Sequence, residues 1–265
     1  MDRTDSATAC ERTDTASEVT ERMAEAHAAA ARGDYPAALA IWGPLAHAGV
    51  GRAQNNIGAC FAEGLGVERD HGLALQWLTL AAEGGDTVGR RNLAALYFRG
   101  EGVEQDDGRA AELYRAAAAA GDGPAQDMLS WMLLETDSTL FDPVEAHRWA
   151  LAAAEQGIAA AMTRLGMIHH DALGVDRDPK TAAAWWIKAA ARGDADGQAM
   201  LGAAHLLGAG VARERVLAVA WLIRARSGGS KLAERYLKAA RNGLTANENA
   251  DAERRAALPL AESAP

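Results

Sequence analysis

Six glycines stand 36 residues apart: Gly49, Gly85, Gly121, Gly157, Gly193 and Gly229. Three further columns hold the same phase. A small residue recurs at Ala74, Ala110, Ala146, Ala182 and Ala218, and a large apolar one at Trp77, Leu113, Trp149, Trp185 and Trp221. Another apolar column reads Ile57, Leu93, Leu129, Leu165, Leu201 and Leu237. Self-similarity at this period means that one supersecondary unit is repeated, and a single unit cannot bury its own apolar face. The units must therefore stack on one another, which restricts the chain to a repeat array.

Each unit reads as two helices. In the first full unit, helix A is predicted from about Arg52 to Glu63 and helix B from about His71 to Glu83. Ala74, Trp77, Leu78 and Ala81 fall at the spacing of an amphipathic helix facing a core. The loop between them carries glycines at two positions, Gly64, Gly100 and Gly208 in one column and Gly66, Gly102, Gly174 and Gly210 in the other. An acidic column, Asp70, Asp106, Asp142, Asp178 and Glu214, precedes helix B, where a carboxylate accepts the unpaired N–H groups of the first turn. Pro143 and Pro179 follow two of these residues, as suits a first helical position that needs no N–H partner. Five carboxylates at one phase are thus expected to be caps rather than catalytic acids. Trp149, in a middle unit, is expected to be a buried aromatic whose loss costs about 3–5 kcal/mol.

The two ends vary the unit. Residues 1–17 are expected to form a disordered tail, and 18–50 a capping hairpin turning at Gly33-Asp34. Five repeats fill 51–230. Two further helices close the array over 231–258, the second opened by a Thr245/Glu248 capping box, and 259–265 form a second disordered tail.

Composition supports this and narrows the function. Alanine dominates a 49% hydrophobic chain with 5% aromatics, a mixture suited to closely packed helices. The net charge is −9, so the chain lacks the basic face that phosphate neutralisation requires; a nucleic-acid partner is not expected. No apolar run is long enough to span a membrane, so membrane insertion is not expected either. The first residues lack the apolar segment of a secretory signal, and the default expectation is the cytoplasm. Cys10 and Cys60 have neither disulfide nor zinc spacing.

The first full unit stands as Ala53, Ile57-Gly58, Phe61, Gly64, Gly66-Val67, Asp70, Ala74, Trp77, Ala81-Ala82 and Gly85. This resembles the Sel-one-like repeat family, a relative of tetratricopeptide repeats, over residues 51–230. The resemblance implies an all-α fold, a right-handed α-solenoid (superhelix) of 36-residue helix–turn–helix repeats, and an adaptor or assembly role. Some secreted, cysteine-rich members are associated with penicillin binding and weak β-lactamase activity. That subgroup carries a disulfide in each repeat, which this sequence lacks. The third unit departs from the pattern, with Thr136, Ser138 and Thr139 at the loop positions. Either the loop has taken another turn type, or the segment 135–141 is shaped for a partner.

By analogy with tetratricopeptide grooves, positions beside the consensus leucine and tyrosine of helix A line a concave binding surface. They are Arg52, Asn55, Arg91, Phe98, Arg99, Asp127, Trp131, Thr163, Met167, His170, Asp171 and Leu206. Aromatics and arginines are the residue types that dominate binding energy. Arg91 and Arg99 lie two turns apart, so both can address a carboxylate, with Asn55 beside them.

His169 and His205 occupy the tyrosine column of adjacent repeats, next to His170 and Asp171. Helices in contact lie about 8–10 Å apart, which makes packing the better reading and a metal site is not expected. The chain has no G-x-S-x-G, H-E-x-x-H or P-loop, and no cofactor is expected. Cys60 reads as a buried structural thiol. The expected function is a scaffold or adaptor that binds a partner protein or peptide through the concave groove, and not an enzyme. Two alternatives are a cell-wall or β-lactam-directed hydrolase and a structural assembly subunit that binds through its outer face or ends.

Overall fold

A computed structural model of the chain describes residues 15–136 and 138–260. Among these residues the regular structure is helical. They group into two compact units, one ending at Leu113 and the other beginning at Tyr114.

The first unit holds α1 (Ala16–Ala31), α2 (Tyr35–His47), α3 (Gly51–Glu63), α4 (His71–Glu83) and α5 (Thr87–Arg99). The division falls inside α6 (Asp107–Ala119). The second unit continues with α7 (Gly123–Met132), α8 (Pro143–Glu155), α9 (Ala159–Asp171) and α10 (Pro179–Ala191). It ends with α11 (Ala195–Leu207), α12 (Arg215–Ser227), α13 (Lys231–Arg241) and α14 (Ala246–Ala257). Odd-numbered helices are the A helices and even-numbered ones the B helices. α1, α3, α7, α9 and α11 each pack on the B helix that follows, α14 packs on α12, and A helices of successive repeats also touch: α3 on α5, and α7, α9, α11 and α13 in series.

α3 and α4 match the expected helices to within a residue. α1 begins earlier than the expected Glu18, because Thr15 and Glu18 form a reciprocal capping box that places the start at Ala16. At the other end Leu260 packs against the cluster of Trp186 and Trp221, so ordered packing extends past residue 259. Residues 1–14 and 261–265, where the rest of the two tails was expected, lie outside the described residues.

Four of the five acidic caps work as expected. Asp70, Asp106, Asp142 and Asp178 accept first-turn N–H groups of α4, α6, α8 and α10. Glu214 corrects the fifth: its side chain makes no cap hydrogen bond to α12. The extra methylene of glutamate carries its carboxylate past the geometry that aspartate meets.

The second loop glycine sets how closely repeats approach. A Cβ at Gly66 would stand 2.6 Å from the Tyr35 Cβ, and one at Gly102 would stand 2.5 Å from the His71 carbonyl oxygen. At Gly174 it would meet Pro143, and at Gly210 it would overlap the Pro179 carbonyl. Tyr35, His71, Pro143 and Pro179 each open the B helix of the preceding hairpin. Every such loop therefore seats its backbone directly on the start of that helix.

The first loop column ends helix A in the left-handed region, at Gly64, Gly100 and Gly208. In the fourth repeat that position is Ala172, the non-glycine residue with φ +60°. The third loop takes a different path. α7 stops at Met132, its C-cap Leu133 stays right-handed, and the Ser138 hydroxyl accepts from the Leu140 N–H. The bond that closes the other loops survives, with the Asp142 N–H donating to the Leu133 carbonyl at 2.9 Å.

The tryptophan column is less buried than its periodicity implies. Trp221 is buried, whereas Trp77, Trp149 and Trp185 are half-buried. Trp149 donates to the Glu145 carboxylate at 3.0 Å and carries the Arg148 guanidinium 4.6 Å from its ring centroid. Lys188 sits 4.0 Å from the Trp185 ring centroid in the same manner. These indoles roof the B helices with one face toward water, which lowers the expected cost of removing Trp149.

Buried amides tie three of the repeats to the hairpin before them. The side chains of Gln54, Gln126 and Gln198 donate to the carbonyls of Ala46, Ala118 and Ala190, at 3.1, 3.1 and 3.3 Å. Each acceptor lies in the last turn of the preceding B helix, where carbonyls lack helical partners. Arg90 reaches the Ala82 carbonyl in the equivalent place.

Candidate functional site

The residues expected to line a groove separate into several environments. In the first unit Arg52 is exposed, and its Nε donates to Asp86, the N-cap of α5, at 2.9 Å. Asn55 is only 4% exposed and accepts from the Asn92 amide at 2.8 Å, so it joins α3 to α5 and is not accessible to a partner. Arg91 and Phe98 are half-buried. Arg99 is exposed and pairs with Glu101 at 2.8 Å. It borders a 160 Å³ depression between α3 and α5 that is lined largely by Ala59, Ala62 and Ala95.

The second unit brings three of the expected residues together. Trp131 on α7 and Met167 on α9 occupy the same repeat position and are 37% and 39% exposed. Thr163, one turn before Met167, is buried beneath them and donates its hydroxyl to Asp194 at 2.6 Å. Together they line a depression of about 370 Å³ that also takes in Leu134, Leu173 and, from α13, Leu232. Its polar lining is Glu135, Arg164, Asp194 and Asp196.

Asp127 does not face this space as a free carboxylate. It is ion-paired with Arg164, which also donates to the Asp127 carbonyl at 3.2 Å and to the Ser130 hydroxyl at 3.0 Å. Ser130 stands where Gly58, Gly166 and Gly202 occur in other repeats, and its hydroxyl helps to hold the guanidinium. Arg164 was missed in the sequence; no consensus position signals a cation there.

Leu206 needs correcting. It is 8% exposed and packs with Val219, Leu222 and Leu237, so it is a core side chain. His170 and Asp171 bond each other at 2.7 Å, and the His170 ring tilts over Trp186 at a centroid distance of 5.6 Å.

His169 and His205 do not pair. His169 meets His147 of α8 edge-on at 5.4 Å, and the His205 Nδ1 lies 3.1 Å from the Ala212 carbonyl. Burial, reinforced by His169, lowers the His147 pKa, which favours a neutral His147 ring at this contact. Among the described residues no three His, Cys, Asp or Glu side chains gather as a metal site would require. Cys60 is buried, and burial pushes its thiol up to about 11, far from the thiolate a nucleophile needs. No helix among the described residues is long and apolar enough to cross a membrane.

Five consecutive stretches match the Sel1 repeat family: residues 51–86, 88–122, 124–158, 159–194 and 195–230. Among solved structures, the chain is similar to a protective antigen of uropathogenic Escherichia coli that displays an SLR fold. Identity is 29% and the TM-score 0.86 over 94% of this chain. The chain spans about half of that protein, 54% of its length. It is also similar to a Sel1 repeat protein from Oxalobacter formigenes, at 25% identity and a TM-score of 0.79, covering 92% of this chain and 96% of the other. No curated protein sequence matches the chain.

Proposed function

The chain belongs to the Sel1 repeat family, whose members generally act as protein-interaction scaffolds, and from that premise we propose that it binds a partner protein or peptide on the face formed by its A helices. One observation carries this reading. Trp131 and Met167, on successive A helices, are each more than a third exposed over the same depression. Large apolar side chains gathered at the surface mark interaction sites, and tryptophan is enriched among residues that dominate binding. The loss of Asn55, Thr163 and Leu206 to the interior concentrates the surface on fewer residues.

A photo-crosslinking amino acid placed at position 167, and separately at Leu80 on α4, tests the assignment in cells. Adducts from position 167 and not from position 80 support it. Leu73 and Leu80 are themselves exposed, one turn-pair apart on a B helix, and favour the second reading, assembly through the outer face. Adducts confined to position 80 select that reading.

The proposal includes no catalytic activity. Asp194 is engaged in capping α11 and the Cys60 thiol is held protonated, so neither is poised for chemistry. It also includes a cytoplasmic location, which fractionation of cells expressing the native gene tests directly.

A further inference from the structure

We propose that the depression around Met167 takes a partner segment in which an apolar side chain sits beside a lysine or arginine. The inference rests on the scaffold reading above and specifies its ligand chemistry. The floor is apolar: Trp131, Leu134, Met167 and Leu173 surround a space of about 370 Å³. That volume lies at the small end of ligand-sized pockets, suited to an anchoring side chain or two rather than to a whole helix.

The rim is acidic, and its charge is not cancelled. The Asp194 carboxylate accepts from the Thr163 hydroxyl and the Gly197 N–H, and Asp196 accepts from the Ser230 hydroxyl at 2.5 Å. These donors are neutral, so among the described residues no cation pairs with either carboxylate, and Glu135 adds a third acidic group. Among the described residues the one cation lining the space, Arg164, is already paired with Asp127. A wholly apolar occupant would strip water from three carboxylates and return nothing, and an acidic one would be repelled. A basic group flanking an apolar anchor meets both surfaces at once. The net charge of −9 steers the same class of partner toward the chain from a distance.

The test is selection of a phage-displayed library of random dodecapeptides on the immobilised full-length chain. The strongest peptide is then synthesised and titrated against wild type, Met167→Arg and Glu135→Lys. Both substitutions fall at the surface, and circular dichroism verifies their folding. The expected result is enrichment of aromatic or aliphatic residues adjacent to Lys or Arg. Affinity is expected to fall at least about tenfold for Met167→Arg and several-fold for Glu135→Lys. Enrichment of acid-flanked peptides that still lose affinity for Met167→Arg overturns the charge assignment and leaves the scaffold surface in place. Peptides that bind Met167→Arg as tightly as wild type overturn both. A library that enriches nothing on the wild-type chain overturns the proposal as well.

Discussion

The indole of Trp186 covers the bare Cα of Gly166, and its Nε1 donates a 3.2 Å hydrogen bond to the Thr163 carbonyl one turn earlier. A Cβ on residue 166 would overlap the ring, which is fully buried and has nowhere to move. Gly166→Ala is therefore expected to cost about 2–3 kcal/mol by overpacking. Gly43, also helical, has open space around it, so Gly43→Ala is expected to be neutral or to stabilise by up to about 1 kcal/mol. Urea unfolding followed by circular dichroism separates the two; equal midpoints would mean that the α9–α10 contact is loose.

Ala172 holds the position that glycine holds in three other loops, at φ +60°. An alanine in the left-handed region is strained by about 1–2 kcal/mol, while glycine loses more entropy on folding. Ala172→Gly is expected to raise stability by about 1 kcal/mol. A lower melting temperature for this variant would place the α9 C-terminus in a different conformation.

Two tryptophans on B helices serve as a matched pair. Trp186 is buried, and its loss to alanine is expected to cost about 3–5 kcal/mol. Trp149 is half-buried under Arg148, and Trp149→Ala is expected to cost nearer 2 kcal/mol. The order of the two denaturation midpoints is the readout, and the reverse order contradicts the burial described for them.

Glu145 is held at about pKa 2, first by hydrogen bonds from Arg115 at 2.8 and 2.9 Å and further by the Trp149 indole. Its folded pKa lies below the ordinary glutamate value of 4.5, so the stability it supplies is complete above that value and lost as pH falls toward 2. Because Arg115 is 41% exposed, solvent screening limits the contribution to about 1–2 kcal/mol. The stability gap between wild type and Glu145→Gln should be widest at neutral pH and close in acid. A gap that persists unchanged to the lowest pH at which the protein folds would assign the effect to packing.

Much of the architecture was legible because it rests on residues with one physical use at a fixed phase. Gly64 and Gly66 mark where helix A stops, Asp70 marks where helix B begins, and both recur. A second set of caps was equally available in the Gly85-Asp86, Gly121-Asp122 and Gly193-Asp194 pairs, whose aspartates accept from Gly89, Ala125 and Gly197. The buried glutamines were not legible. A polar residue in a helix reads as solvent-facing, and the partner of Gln54 is a carbonyl at the end of another helix, which no local pattern announces.

The candidate surface was harder still. Helical spacing locates a residue on a face only to within a position or so, at about 100° per residue. Met167 and Leu206 were expected on the same surface, yet one is exposed and the other lies in the core. His169 finds its neighbour in His147 of the helix before it, not in the histidine one repeat later, because an A helix is flanked by B helices as well as by other A helices.

Where the loop backbones at Gly66, Gly102, Gly174 and Gly210 rest on the first residue of a preceding B helix, the joint is made of main chain. A tyrosine, a histidine and two prolines serve equally well as the seat, since what is met is largely the peptide unit. Such a joint does not ask which unit lies next to it. Units can be duplicated, exchanged or deleted by whole periods without two surfaces having to co-adapt, and side chains elsewhere are left free to diverge toward whatever each unit must recognise.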